Sequence, residues 1–168
     1  MSGKQSMKTY LRHYGICIVL VLLILLVACQ AQFDSSQPPE IFYGEDLCVE
    51  CGMIISDPRF AAAYYTTDGK AKIFDDIGGM AVHHTEHQEQ IAQFWVHDFD
   101  SEEWVKADQA YFVISDKVHS PMDYGIVAFA KETRAQEFGS QNNAMVMSFN
   151  GILESIEAGT SSHEHSDS

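Results

Sequence analysis

Along the chain, RFAAAYYTT (59–67) and KAKIF (70–74) are apolar, strand-rich runs separated by Asp68-Gly69, a pair suited to a tight turn, so a β-hairpin is expected there. From Asp75 to about Gln90, DDIGGMAVHHTEHQEQ brings Ile77, Met80, Ala81 and His84 onto one face behind an aspartate cap, which predicts a helix. QFWVHDF (93–99) then reads as a strand. A second round follows: strands at QAYFVISD (109–116) and YGIVAFA (124–130), and a helix at KETRAQEFG (131–139) stopped by Gly139. A strand at AMVMSF (144–149) and a short helix from Asn150 complete it. Strand–strand–helix–strand thus comes twice, and the expected fold is α+β: two ββαβ-type repeats forming one compact domain over residues 41–157.

The flanks carry no such pattern. Lys4, Lys8 and Arg12 precede the uncharged run GICIVLVLLILLVA (15–28), a basic segment followed by an apolar one of signal-peptide length. Leu26-Val27-Ala28-Cys29 resembles the lipobox of bacterial lipoproteins, which implies cleavage of residues 1–28 and a lipid on Cys29. The alternative is an uncleaved anchor helix, and with either the rest of the chain lies outside the cytoplasm. QAQFDSSQPPE (30–40) reads as part of a tether that starts at Cys29. AGTSSHEHSDS (158–168) reads as a disordered tail, in which His163 and His165 are candidates for loose metal contact.

Processing sharpens the charge. Lys4, Lys8 and Arg12 go, no acid goes, and seven Lys+Arg face 24 Asp+Glu, a net charge of −17. That excludes nucleic acid and electrostatic docking on anionic lipid, and it suits a cationic partner or metal ions. It also leaves Cys48 and Cys51 as the folded domain's only thiols, since Cys17 lies in the signal and Cys29 takes the lipid.

Those two stand in LCVECGMIISDP (47–58), beside Met53. Covalent haem attachment needs a histidine after the second cysteine, and position 52 is glycine. A structural zinc site needs four ligands, and one Cys-x-x-Cys supplies two. His83 and His87 stand at i, i+4 to complete it, although His83, His84 and His87 read more simply as a wet helix face. A thioredoxin-like pair should open a helix, and Asp57-Pro58 would stop one at once. Copper(I) agrees best with the softness of the donors, because thiolate and thioether select that ion and two or three suffice. Met122, in the turn SPMDYG (120–125), adds a thioether away from any buried stripe, whereas Met145 and Met147 read as packing. His97 and His119 are candidates to complete the set. Asp75 and Asp76 read as a helix cap and a dipole partner rather than a catalytic pair.

Cys48-Val49-Glu50-Cys51-Gly52-Met53, the hairpin leading into Phe74-Asp75-Asp76-Ile77, and Ser120-Pro121-Met122 before Ala128-Phe129 together resemble the NosL family, lipoproteins accessory to nitrous oxide reductase. The resemblance spans about residues 40–157. It implies a copper(I) chaperone facing the periplasm and lipid-anchored in the cell membrane or outer membrane. Its client would be nitrous oxide reductase or a similar copper enzyme, its partner an ABC-type maturation complex, and its fold two ββαβ-type halves. Carried onto this chain, the ligand positions are Cys51 and Met122, then Cys48 and Met53, with Met80 a further candidate; His119 is a candidate only by its place three positions before Met122. Gly79 stands where relatives often carry cysteine, and Asp123 where a small residue is usual. The competing class is a thiol-disulfide exchange or thiolate-based enzyme using Cys51 as nucleophile and Cys48 as resolving partner. A structural lipoprotein with a local disulfide is the third.

Overall fold

In the computed structural model, residues 34–163 are described, with side chains through Gly159. The signal segment 1–28, Cys29 and the tail beyond His163 lie outside the described residues. The first sheet uses β1 (Ala62–Thr66), β2 (Ala71–Phe74), β3 (Ile91–His97) and β4 (Trp104–Lys106) in the antiparallel order β2-β1-β3-β4. The second uses β5 (Tyr111–Ile114), β6 (Ile126–Phe129) and β7 (Val146–Met147) in the order β6-β5-β7. Helix α1 (Ile77–His87) follows β2, α2 (Glu132–Asn142) follows β6, and α3 (Phe149–His163) follows β7. In each sheet the first strand of the strand–strand–helix–strand run lies between the other two, and the class is mixed α+β.

The hairpin forms where expected, with Ala62 opposite Phe74 and Tyr65 opposite Ala71. Strand β6 is buried along its whole length, as its unbroken apolar run IVAF requires. Ile126 and Ala128 join the main core with Phe74, Met80, Phe112 and Ile152, while Val127 and Phe129 join a second core under α2. Helix α1 buries Ile77, Met80 and Ala81 completely, while His84 sets its ring edge-on to Phe94 at 5.0 Å. Strand β4 has no counterpart in the sequence reading. It is three residues long, too short for alternation to register, and forms by pairing with the end of β3.

Four expectations need correction. Helix α2 runs through Gly139 and ends where Asn143 adopts φ 55°, its N–H bonded to the Gly139 carbonyl; a glycine inside a helix weakens it without stopping it. Met145 is 81 % exposed before β7 and does not pack, whereas Met147 borders the core. His83 is buried rather than on a wet face, because its ring packs against Phe74 and Tyr64 of the first sheet and Glu50 bonds to it from the loop. Helix α3 continues to His163, into the stretch read as tail, since a helix nucleated on a packed face propagates cheaply through poor formers.

The two sheets are joined at Asp98. One carboxylate oxygen accepts from Ser101 N (2.9 Å), Ser101 Oγ (2.8 Å) and Asp100 N (3.2 Å), and the other from Ala130 N at 2.6 Å. Phe99 N donates to the Ala128 carbonyl alongside, at 2.8 Å. Asp98→Ala strands those donors and is expected to cost about 2–4 kcal/mol. Urea unfolding should show the midpoint lowered at unchanged slope.

Candidate metal centre

The segment before β1 turns back on itself. Leu47 and Ile54 form an antiparallel bridge, Cys48 N donates to the Met53 carbonyl at 2.8 Å, and Gly52 N donates to the Cys48 carbonyl at 2.9 Å. The reversal needs φ 72° at position 52, which glycine adopts without strain. The loop is fastened twice to its surroundings. Val49 N donates to the Ile73 carbonyl of β2 at 3.0 Å, and Glu50 Oε2 accepts from His83 Nδ1 of α1 at 2.6 Å. The carboxylate only accepts, so Nδ1 donates to it, and Nε2 lies 3.1 Å from the Lys72 Nζ, which engages both ring nitrogens of His83.

This places the thiols at the end of β2. Cys48 is 2 % exposed and Cys51 half-buried, and the Cys51 thiol donates to Asp75, 3.5 Å from Oδ2 and 3.6 Å from Oδ1. The sulfurs of Cys48 and Cys51 and a carboxylate oxygen of Asp75 all lie within 4.8 Å of one another. Burial, with the Asp75 carboxylate adding to it, pushes the Cys48 thiol up to about 12. Both cysteines are free.

The Ser-Pro-Met turn reaches the adjacent residue. Asp76 caps α1, its Oδ1 accepting from Gly78 N at 2.7 Å, while Oδ2 accepts from Ser120 Oγ at 2.5 Å and from Met122 N at 3.0 Å. Ser120 Oγ in turn accepts from Gly125 N at 3.0 Å. Burial raises the pKa of Asp76, and these donated hydrogen bonds pull it back down. The turn lies so close to α1 that a Cβ at Gly79 would sit 2.5 Å from the Met122 sulfur, and one at Gly78 2.2 Å from Cγ of Tyr124. Two thiols therefore meet Asp75 and a thioether turn meets Asp76, consecutive residues where β2 passes into α1.

The remaining candidates fall elsewhere. Met53 is 47 % exposed, on the hairpin opposite Cys48. Met80 is fully buried in the main core. His119 is exposed, its Nδ1 3.5 Å from Asp123. His97 has both nitrogens engaged, Nδ1 donating to the Glu102 carbonyl at 2.6 Å and Nε2 accepting from Tyr43 Oη at 2.7 Å, so it has no lone pair to offer. Burial lowers its pKa accordingly. His83 is occupied likewise, and His87 stacks on it at 3.9 Å. Asp75 is the neighbour that sequence reasoning took for a cap or dipole partner. Its one signal was position, directly after a strand and before a capped helix. Gly78-Gly79, two poor helix formers in a first turn, signalled the close approach of the Met122 turn.

The NosL family model matches residues 40–156. The chain is 23% identical over 163 residues to a protein of Stutzerimonas stutzeri described as "Copper-binding lipoprotein NosL", with 90% of this chain and 86% of that one covered. Its fold is similar to the crystal structure of the copper chaperone NosL from Shewanella denitrificans, with a TM-score of 0.58, 22% identity, and coverage of 68% of this chain and 93% of that one.

Proposed function

The chain belongs to the NosL family, and on that premise we propose that it is a lipid-anchored carrier of copper(I) outside the cytoplasm, with no catalysis of its own. The observation that supports this most is the pair of thiols beside a carboxylate at the end of β2, with a thioether-bearing turn fastened to the following residue. Cys48 and Cys51 stand together beside Asp75, and the Met122 N–H donates to the carboxylate of the next residue, Asp76. Thiolates and a thioether suit a soft monovalent ion, and a site of two or three ligands leaves room for an acceptor's ligands to exchange in. Met53, at the exposed edge, is placed to meet copper first. Among the described residues no helix is long and apolar enough to cross a membrane. Attachment would come from the lipid on Cys29 after loss of residues 1–28, in the cell membrane or outer membrane. The client is nitrous oxide reductase or a related copper enzyme, reached through an ABC-type maturation complex. The matching strand order of the two sheets supports two like ββαβ halves.

A thiol-exchange enzyme needs its resolving thiol to become a thiolate in turn, and burial drives Cys48, the resolving partner, the other way. Asp57-Pro58 follows the thiols, and neither opens a helix.

The test is a titration of the reduced domain from Asp34 onward with copper(I) against a chromophoric competitor. One ion per domain is expected, with Met122→Ala retaining the ion less well while circular dichroism is unchanged. A reduced domain that retains no copper(I) but turns over a disulfide substrate transfers the case to the enzyme reading. The pH dependence has a definite sign. The Cys48 thiol, protonated throughout the neutral range, must lose its proton when metal binds, so affinity should rise with pH by about tenfold per unit for each proton displaced. Competitor titrations at three pH values measure this, and a flat profile would exclude Cys48 as a ligand.

A further inference from the structure

Phe42, Tyr43, Leu47, Val49, Met53 and Ile54 are six of the seven large apolar side chains exposed among the described residues, and all stand on the segment that carries the thiols. Leu47 and Ile54, 57 % and 54 % exposed, are bridge partners on the hairpin, while Cys48 between them in the chain is buried. Exposed apolar residues scattered singly mean little, but a cluster confined to one short segment marks a contact surface. This segment is also held in place. Tyr43 is hydrogen-bonded to buried His97, Glu50 to buried His83, and Val49 N to Ile73 O. Its shape is therefore set before any partner arrives, which lowers the ordering cost of docking.

The charge around it selects the occupant. From Gln30 to Ser56 the chain has five acids, Asp34, Glu40, Glu45, Asp46 and Glu50, and no lysine, arginine or histidine, while Asp57 beyond them is paired with Arg59. Glu40 and Glu45 are exposed beside Phe42. A second copy docked through the same face in a two-fold dimer would bring like charges together. An anionic bilayer would be repelled in the same way. We infer that residues 42–54 form the docking face for a protein partner that presents an apolar patch rimmed by lysine and arginine. This deepens the carrier reading and rests on it, since the face encloses the loop from which the ion would leave. Docking there buries the apolar collar and brings the partner's ligands to Cys51 and Met53 in a single encounter, with the opposite charges raising the on-rate.

The test uses the full chain in its own cells, with the photo-crosslinking residue p-benzoylphenylalanine in place of Leu47 or, separately, Ile54. The same residue in place of exposed Met145 is the reference. Irradiation should give one protein adduct from the first two positions and not from the third, and peptide mapping should place the crosslink beside lysine or arginine. Adding Glu40→Lys with Glu45→Lys should cut adduct yield by about tenfold or more, while the purified variant holds copper(I) as tightly as before. An adduct with a second copy, an adduct with phospholipid, no adduct above the Met145 reference, or a yield indifferent to the charge reversal would each overturn the inference. Failure of the carrier reading shows separately, as a purified domain that holds no copper(I) whatever its crosslinks.

Discussion

Cys51→Ser, alone or with Cys48→Ser, is expected to abolish copper(I) retention, lowering affinity by more than about 100-fold, beyond the loss usual for an outer-shell partner. Replacing sulfur by a hydroxyl keeps size and hydrogen-bonding capacity but removes the soft anionic donor that copper(I) prefers. The fold should tolerate the change at Cys51, which is half-buried and hydrogen-bonded to Asp75, a bond a serine hydroxyl can also donate. Competitor titration measures the affinity, and the thiolate-to-copper absorption in the near ultraviolet should vanish with it. Undiminished retention in the double variant would remove the thiols from the site.

The second large effect is expected at Asp76. Asp76→Ala removes the α1 cap and leaves Ser120 Oγ and Met122 N without their acceptor, two losses that together cost about 2–4 kcal/mol. Asp76→Asn is milder and more telling. Asparagine still caps Gly78 through Oδ1, but its amide nitrogen cannot accept from Met122 N. The helix should survive while the turn is released, and copper(I) retention should fall by roughly tenfold. If Asp76 acts through the placement of Met122, the loss should disappear when Met122→Leu is already present, a non-additivity that a double-mutant cycle reads directly. Gly79→Ala approaches the same question from the other side, because its Cβ would displace the Met122 sulfur without touching the carboxylate. Wild-type affinity in both Asp76→Asn and Gly79→Ala would show that the turn's placement is immaterial.

What was legible in the chain was local. Asp68-Gly69 between two strand-forming runs announces a hairpin, and an aspartate ahead of Ile77, Met80 and Ala81 announces a capped helix. Strand β4 was invisible because its three residues owe their conformation to β3 rather than to their own pattern. His83 looked solvated because its chain neighbours are polar, yet Glu50, 33 residues away, covers it. His97 looked available because sequence does not show that Tyr43 and Glu102 have already taken its two nitrogens.

The chain by itself determined the family, the α+β class, and the supply of soft donors at Cys48, Cys51, Met53 and Met122, because propensity, periodicity and ligand softness belong to residues and their near neighbours. Only the tertiary structure decided which residues meet. Asp75 meets the thiols, Asp76 meets the Met122 turn, and Met80 is taken into the core, since burial and contact are set by packing between segments that lie tens of residues apart.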